Sequence, residues 1–263
     1  MLIIDEHTSL TTLKMNNNQL LVSIITIVYN GEAYIKDTIE SVLQQSYNNI
    51  EYIIVDGGST DSTVSIVKSF GNKISKFISE KDKGISDAFN KGINLASGEL
   101  IGIINADDWY EPQAIEKIVA LYKSDNTIIS GNVKLYNSKT KFNIKTSSLQ
   151  GIQKQMTVWH PGTFVPKKVY DKIGLYSLDY KVLMDYDFVA RCLQGGVQFL
   201  FTDQDIASMR YGGVSNRLIS KSMNESYNIK NKYWGKKFSH KIEKIYFNIY
   251  FQVIIYLKKI IYK

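Results

Sequence analysis

Glu99-Leu-Ile-Gly-Ile-Ile-Asn-Ala-Asp-Asp-Trp-Tyr110 is the stretch around which the rest of the chain is organised. Leu100 to Ile104 is a short apolar run rich in β-branched residues, long enough for one buried strand, and it ends in Asn105, Asp107 and Asp108. Adjacent carboxylates just past a strand repel each other. A divalent cation, Mn2+ or Mg2+, offsets that repulsion, because both ions take hard oxygen ligands and complete their shells with water and phosphate. A second reading stands beside this one. The pair lies just ahead of Glu111-Pro112, which can open a helix, and acidic groups suit that end of a helix.

Upstream, Leu21-Val-Ser-Ile-Ile-Thr-Ile-Val28 is apolar on both faces, the pattern of a central parallel strand. It runs into the turn Tyr29-Asn30-Gly31, then into a segment with Ile35, Ile39, Val42 and Leu43 on one helical stripe. Ile50 to Val55 is a second strand, closed by Asp56-Gly57-Gly58-Ser59-Thr60-Asp61. A helix over Val64 to Phe70, a short strand over Lys76 to Ser79 and a helix over Ile85 to Ala96 lead back to Leu100. This alternation predicts an α/β fold with a doubly wound, Rossmann-like, mostly parallel sheet. Ligands of such sheets bind beyond the carboxyl ends of the strands, where Asn30, Asp56 and Asp107 all fall. Asp56 is expected to project into that crevice, with Gly57-Gly58 letting backbone approach a ligand; a plain turn with a helix cap is the alternative. Neither G-x-G-x-x-G nor G-x-x-x-x-G-K-[ST] follows the first strand, which argues against a dinucleotide oxidoreductase and a P-loop kinase.

The 263 residues, 44% hydrophobic, suffice for a large core, and the single cysteine, Cys192, excludes an internal disulfide. The net charge of +7 is unevenly placed: residues 217 to 263 hold eleven Lys or Arg against two Glu, a net +9, which leaves −2 for residues 1 to 216. A basic tail on an acidic body speaks against a nucleic-acid partner. No leader peptide is expected in MLIIDEHTSLTTLK, residues 1–19 are expected to be poorly structured, and Met15 is an alternative start.

Val22-Ser-Ile-Ile-Thr-Ile-Val-Tyr-Asn30, Val55-Asp-Gly-Gly-Ser-Thr-Asp61, Ser79 to Gly92 and Asn105-Ala-Asp-Asp108 resemble, in order, the signatures of family 2 glycosyltransferases with the GT-A fold. The resemblance covers about residues 20 to 213 and is nearest to bacterial enzymes that assemble capsules, lipopolysaccharide O-chains and exopolysaccharides. It implies a nucleotide-sugar donor, a UDP-sugar, and a saccharide or polyprenyl-diphosphate-linked acceptor. It further implies that Asp56, with Asn30 and Glu32, receives the base, that Asp82 lies near base and ribose, and that Asp87, Asn90 and Lys91 line the donor site. Asp107 and Asp108 match the end of the metal-binding D-x-D region, whose first position is Asn105 here. A nucleotide-binding half, 20–110, an acceptor-side half, 111–215, and a basic helical extension, 216–263, follow from the same comparison. Residue by residue, Asp87 and Lys91 also fit a surface ion pair.

Beyond Asp108, Ile128 to Tyr136 and Lys141 to Lys145 predict an antiparallel pair of strands in a smaller mixed region. Ser147 to Val158 is weakly patterned and is expected to be a mobile loop. His160 resembles the histidine ahead of the family's acceptor-side strand, and a structural hydrogen bond is its plainer reading. Asp185 resembles the family's catalytic base; from the residues alone it is equally placed as an N-cap of the helix that carries Phe188, Val189 and Arg191. Asp187 has no role assigned by sequence. Tyr246 to Leu257 is apolar and aromatic but for Asn248 and Gln252 and is flanked by lysines, yet twelve residues fall short of the about 20 that span a bilayer. A helix lying on an anionic membrane surface is expected, which would place the protein in the cytoplasm, peripheral on the inner face of the membrane. A helix packed on the body or in a dimer is the alternative. A sugar-phosphate nucleotidyltransferase and a non-catalytic sugar-nucleotide or membrane-binding protein are the rival functions.

Overall fold

The computed structural model describes residues 19–138, 140–212 and 218–235. Strands β1 (Val22–Val28), β2 (Ile50–Asp56), β3 (Lys76–Ser79) and β4 (Leu100–Asn105) alternate with helices α1 (Ile35–Leu43), α2 (Thr63–Ser69) and α3 (Ile85–Leu95). Then come β5 (Trp109–Tyr110), α4 (Ala114–Leu121), β6 (Thr127–Tyr136), β7 (Phe142–Lys145), β8 (Thr163–Pro166), α5 (Lys167–Ile173), α6 (Met184–Gln194), β9 (Gln198–Arg210) and α7 (Ile219–Trp234).

Among the described residues the sheet has nine strands in the order β3-β2-β1-β4-β8-β6-β9-β5, with β7 on β6. The four strands read from the N-terminal alternation are parallel. Past β4 the sheet is mixed: β8 pairs antiparallel with β4 and β6, β5 antiparallel with β9, and β6 parallel with β9. The expectation of a mostly parallel Rossmann-like sheet is thus corrected to a mixed sheet flanked by helices, with a C-terminal helical extension. One sheet runs through both halves of the chain. β6 and β7 are the antiparallel pair expected.

Alternation of side chains builds two cores from the same strands. Ile24, Tyr52, Ile54 and Ile104 face α1, α2 and α4, whereas Ile25, Ile53, Val55 and Ile103 face α3, α5 and α6. On the first face Gly102 leaves room for Phe164 and Tyr110, since a Cβ there would stand 2.6 Å from the phenylalanine ring. A third cluster, Ile152, Val158, Tyr186, Val189 and Ile229, joins α6, α7 and the 147–158 segment. That segment is therefore anchored rather than a free loop: Ser148 and Thr157 bond each other twice, and Tyr186 donates to the Ile152 carbonyl. Among the described residues no helix is long and apolar enough to cross a membrane.

Candidate active site

The crevice opens at the carboxyl ends of β1, β2 and β4. Asn30, in the left-handed region at φ 50°, turns the chain after β1. Its Oδ1 accepts from Thr60 N at 2.9 Å, while its own N donates to Ser59 Oγ at 2.7 Å. Glu32 accepts from Ser62 N at 2.9 Å, and Glu32 N donates to Asp61 at 3.1 Å. These bonds staple the β1 and β2 loops together. Asp56 does not project freely into the crevice as expected. It is 0% exposed, and its carboxylate accepts from Gly58 N, Ser59 N, Ser59 Oγ and Ser79 Oγ, which fills about the four acceptor sites such a group has. The backbone around Gly57 and the Asp82 carboxylate stand beside it. A Cβ on Gly57 would lie 2.4 Å from Asp82 Oδ2, so glycine is what lets Asp82 close on this loop.

The polar face of α3 is committed to neighbouring loops. Asp87 accepts from Lys83 N at 3.0 Å; Lys91 reaches Glu80 at 2.8 Å and Asp87 at 3.5 Å and donates to the Lys81 carbonyl. The ion-pair reading is thus what the structure displays, and those backbone and Lys91 contacts hold Asp87 below the usual carboxylate range. Asn90 exchanges two hydrogen bonds with the backbone of Tyr176, at 2.8 and 2.9 Å. These three residues bear on the crevice through the loops they fix.

Asp107 and Asp108 are not helix caps. Helix α4 starts only at Ala114, behind a left-handed Gln113, and β5 intervenes. The two carboxylates differ in setting. Asp108 is 2% exposed and accepts from Arg210 N at 3.2 Å; burial first, and then the charge of Asp107, push its pKa well up, against the pull of Arg210 and Asn105. Asp107 is partly open, and its carbonyl takes a bond from the Arg210 guanidinium. That guanidinium also pairs with Asp37 at 2.9 Å and lies between the rings of Tyr34 and Trp109, 4.3 and 4.7 Å from their centroids. Sequence alone assigns Arg210 no role of its own; its signal is its place in Met209-Arg-Tyr-Gly-Gly-Val-Ser215, which resembles the family's loop that closes over the diphosphate. Among the described residues no three His, Cys, Asp or Glu cluster to hold a metal alone. The hard oxygens of Asp107 and the strained charge of Asp108 nonetheless fit a cation whose remaining ligands are water and diphosphate.

Asp185 is the second residue of α6, not its N-cap, a position held by Leu183 with no side-chain bond. It lines a small pocket together with His160, Thr163, Tyr176 and Phe188. Burial raises its pKa to about 6, although the Tyr186 N–H, at 2.8 Å, favours the ionised form. Burial also drives His160 down to about 4, so the imidazole is neutral at physiological pH, with Nε2 3.4 Å from Asn105 Nδ2. His160 therefore links the end of β4 to the pocket that holds Asp185. Asp187 is 0% exposed and bonds Arg191 at 2.9 Å, Tyr233 OH at 2.7 Å and Lys232 at 3.4 Å. Arg191 in turn caps the C-terminus of α5 through the carbonyls of Ile173 and Leu175. Asp187 is structural.

The chain is similar to known proteins. An uncharacterized glycosyltransferase of Rickettsia typhi is 34% identical over 208 residues, covering 74% of this chain, and the chain spans 64% of that relative's length. The structure of Staphylococcus aureus TarS 1–349 in complex with UDP-GlcNAc superposes with a TM-score of 0.63 at 18% identity, over 84% of this chain and 69% of that one. A Pyrobaculum calidifontis mannosyltransferase in complex with GDP-Man and Mn2+ gives a TM-score of 0.62 at 14% identity, over 81% and 65%. At such identities the two structures speak for the fold alone. The model of the family described as glycosyl transferase family 2 matches residues 23–190, and with the crevice, the acidic pair past β4 and the Asp185 pocket all inside that span, the chain belongs to that family.

Proposed function

We propose that this protein is an inverting, metal-dependent transferase that moves a sugar from a nucleotide-sugar to a hydroxyl of a saccharide or polyprenyl-diphosphate-linked acceptor in surface polysaccharide synthesis. The donor is a UDP-hexose or UDP-N-acetylhexosamine. One observation carries the reading: a carboxylate raised to about 6 faces a pocket whose His160 contacts Asn105 at the end of the strand bearing Asp107 and Asp108. A base with that proton affinity is suited to take a proton from an acceptor hydroxyl at neutral pH. With Asp185 on the acceptor side and the diphosphate on the other, the hydroxyl oxygen attacks the anomeric carbon as the nucleoside diphosphate leaves. That single displacement inverts the configuration. Asp107 would hold a cation, with Asp108 supporting it from the interior. Such a cation would supply charge neutralisation on the leaving diphosphate. Asn30, Glu32, Asp56 and Asp82 form the wall proposed to receive base and ribose, with the saturated Asp56 carboxylate shaping the loop rather than standing free. The UDP-GlcNAc and GDP-Man complexes of the fold relatives support a nucleotide-sugar, and the Mn2+ in the second supports the ion.

Incubation with UDP-glucose, UDP-N-acetylglucosamine or GDP-mannose, with and without manganese, tests the reading. Nucleoside diphosphate release stimulated by manganese is expected, and its dependence should vanish in the double variant Asp107→Ala, Asp108→Ala. Release of pyrophosphate from a nucleoside triphosphate would favour a nucleotidyltransferase instead. Absence of any turnover alongside intact nucleotide binding would favour a non-catalytic binder.

We also propose that the tail places the enzyme on the inner face of the cell membrane. Support comes from the +9 charge of residues 217–263 and the apolar run Tyr246 to Leu257; residues 236–263 lie outside the described residues. Each lysine near an anionic surface contributes about 1 kcal/mol. The full chain should sediment with phosphatidylglycerol vesicles at low salt and dissociate as salt rises. Retention in the supernatant would sink the proposal.

A further inference from the structure

We infer that Glu225 is a positioning residue for Asp185: its carboxylate, delivered from α7, gathers the backbone N–H groups that lead into α6 and so fixes where the base stands. The inference rests on reading Asp185 as the base. Helix α6 opens at Met184 with Leu183 as its N-cap, whose side chain makes no capping bond, and Asp185 takes the N–H of Tyr186 in the first turn. Glu225, 42 to 44 residues downstream, takes the N–H groups of the three residues that lead into the helix. Lys181 N donates to Oε1 at 2.8 Å, and Val182 N and Leu183 N both donate to Oε2 at 2.9 Å. Three successive N–H groups converging on one carboxylate make an anion cradle at the positive end of a helix.

Glu225 is 6% exposed, so the cradle is closed to solvent. Attachment of α7 to the body does not require it. Ile229 is wholly buried in the third core cluster, Tyr233 bonds Asp187 at 2.7 Å, and Lys230 donates to the Lys154 carbonyl at 3.1 Å. What Glu225 alone adds is a fixed carboxylate behind the backbone that carries the base. Its charge also adds to burial in raising the proton affinity of Asp185. The other titratable groups around Asp185 are His160, Tyr170 and Tyr176 across the pocket, and Asp187 on its own helix, which Arg191 pairs. Burial drives the histidine down and both tyrosines up, so these three are uncharged at neutral pH. Glu225 is thus the acidic neighbour that another element brings to the base.

The full-length chain carrying Glu225→Gln or Glu225→Asp would be assayed for kcat and donor KM across pH, with thermal melting as a fold control. A glutamine keeps the size but turns a donor toward donors and removes the charge. We expect kcat to fall about tenfold or more, as displacement of a reacting group by a fraction of an ångström does. Donor KM should hold, and the acid limb of the kcat profile should move down toward the ordinary aspartate value. Glu225→Asp withdraws the carboxylate by one methylene while keeping its charge. It should lower kcat and leave the acid limb at the parental position, and it carries the test if the glutamine variant does not fold. Parental kcat in the aspartate variant, or a glutamine variant whose acid limb has not moved, would overturn the inference. Asp185→Asn in the same assay separates the two readings: retained turnover there removes the base itself, whereas its loss beside a normal Glu225→Gln removes only the role of Glu225.

Discussion

Asp185→Asn is expected to lower turnover by about 10² or more while nucleotide binding and the fold persist, the usual effect of losing a positioned acid or base. The amide keeps the shape of the side chain and its place at the mouth of α6 but cannot take a proton. In the parent, kcat should rise with pH through a midpoint near 6, where burial has placed the Asp185 carboxyl, and then level off, because only the ionised form accepts the acceptor's proton. The same burial makes a claim about stability. A carboxyl whose folded pKa is raised binds its proton more tightly in the native state, so ionisation above that pKa weighs against folding. Asparagine removes this burden. The variant should therefore be no less stable than the parent at pH 8, which separates loss of chemistry from loss of structure. Turnover within a factor of a few of the parent would remove Asp185 from the mechanism.

The largest stability effect is expected two residues along the same helix. Asp187→Ala takes a wholly buried carboxylate from Arg191, Lys232 and Tyr233 at once. Breaking a buried ion pair by removing one partner costs about 3–5 kcal/mol. The Arg191 and Lys232 side chains keep 21% and 54% of their exposure, so water takes over part of their solvation and the lower end, about 3 kcal/mol, applies. For a chain of this size that is a melting temperature lower by roughly 6–12 °C. Thermal unfolding followed by circular dichroism decides it. A drop of only a degree or two would mean that α7 is held by Ile229 and its neighbours and not by this charge.

The N-terminal half of the fold was legible because its signals are local. β3 was read at its full extent, and β1, β2, β4 and α3 to within a residue, since runs of isoleucine and valine bounded by Gly, Asn and Asp leave little choice. Beyond Asp108 the same reasoning weakened for a physical reason. β9 lies between β6 and β5, and its central residues, Thr202 to Asp205, are polar, so no apolar run announces the strand. Its pairing with β6 breaks register around Asn132, which blurs alternation further. The site divides in the same way. Residue types at strand ends identified the crevice, yet they did not reveal that Asp56 and Asn90 would be consumed by backbone N–H and C=O groups. Nor could spacing place Arg210 between Tyr34 and Trp109, or Glu225 behind α6. Those contacts join residues far apart in the chain, and nothing in the local pattern of either partner records them.

The mixed half of the sheet also dictates an order of assembly during synthesis. β1 to β4 and their helices find all of their parallel partners among the first 105 residues. β5, by contrast, pairs with β9, and the whole length of β6 lies along β9 as well, so the edge that bears Trp109 and Tyr110 has no partner until the ribosome has passed Arg210. Contacts of such long sequence separation are reached late and slowly. The nucleotide-side loops can therefore mature while the acidic pair after β4 still waits for Arg210 to arrive, and the emerging chain is a folded scaffold before it is a finished crevice.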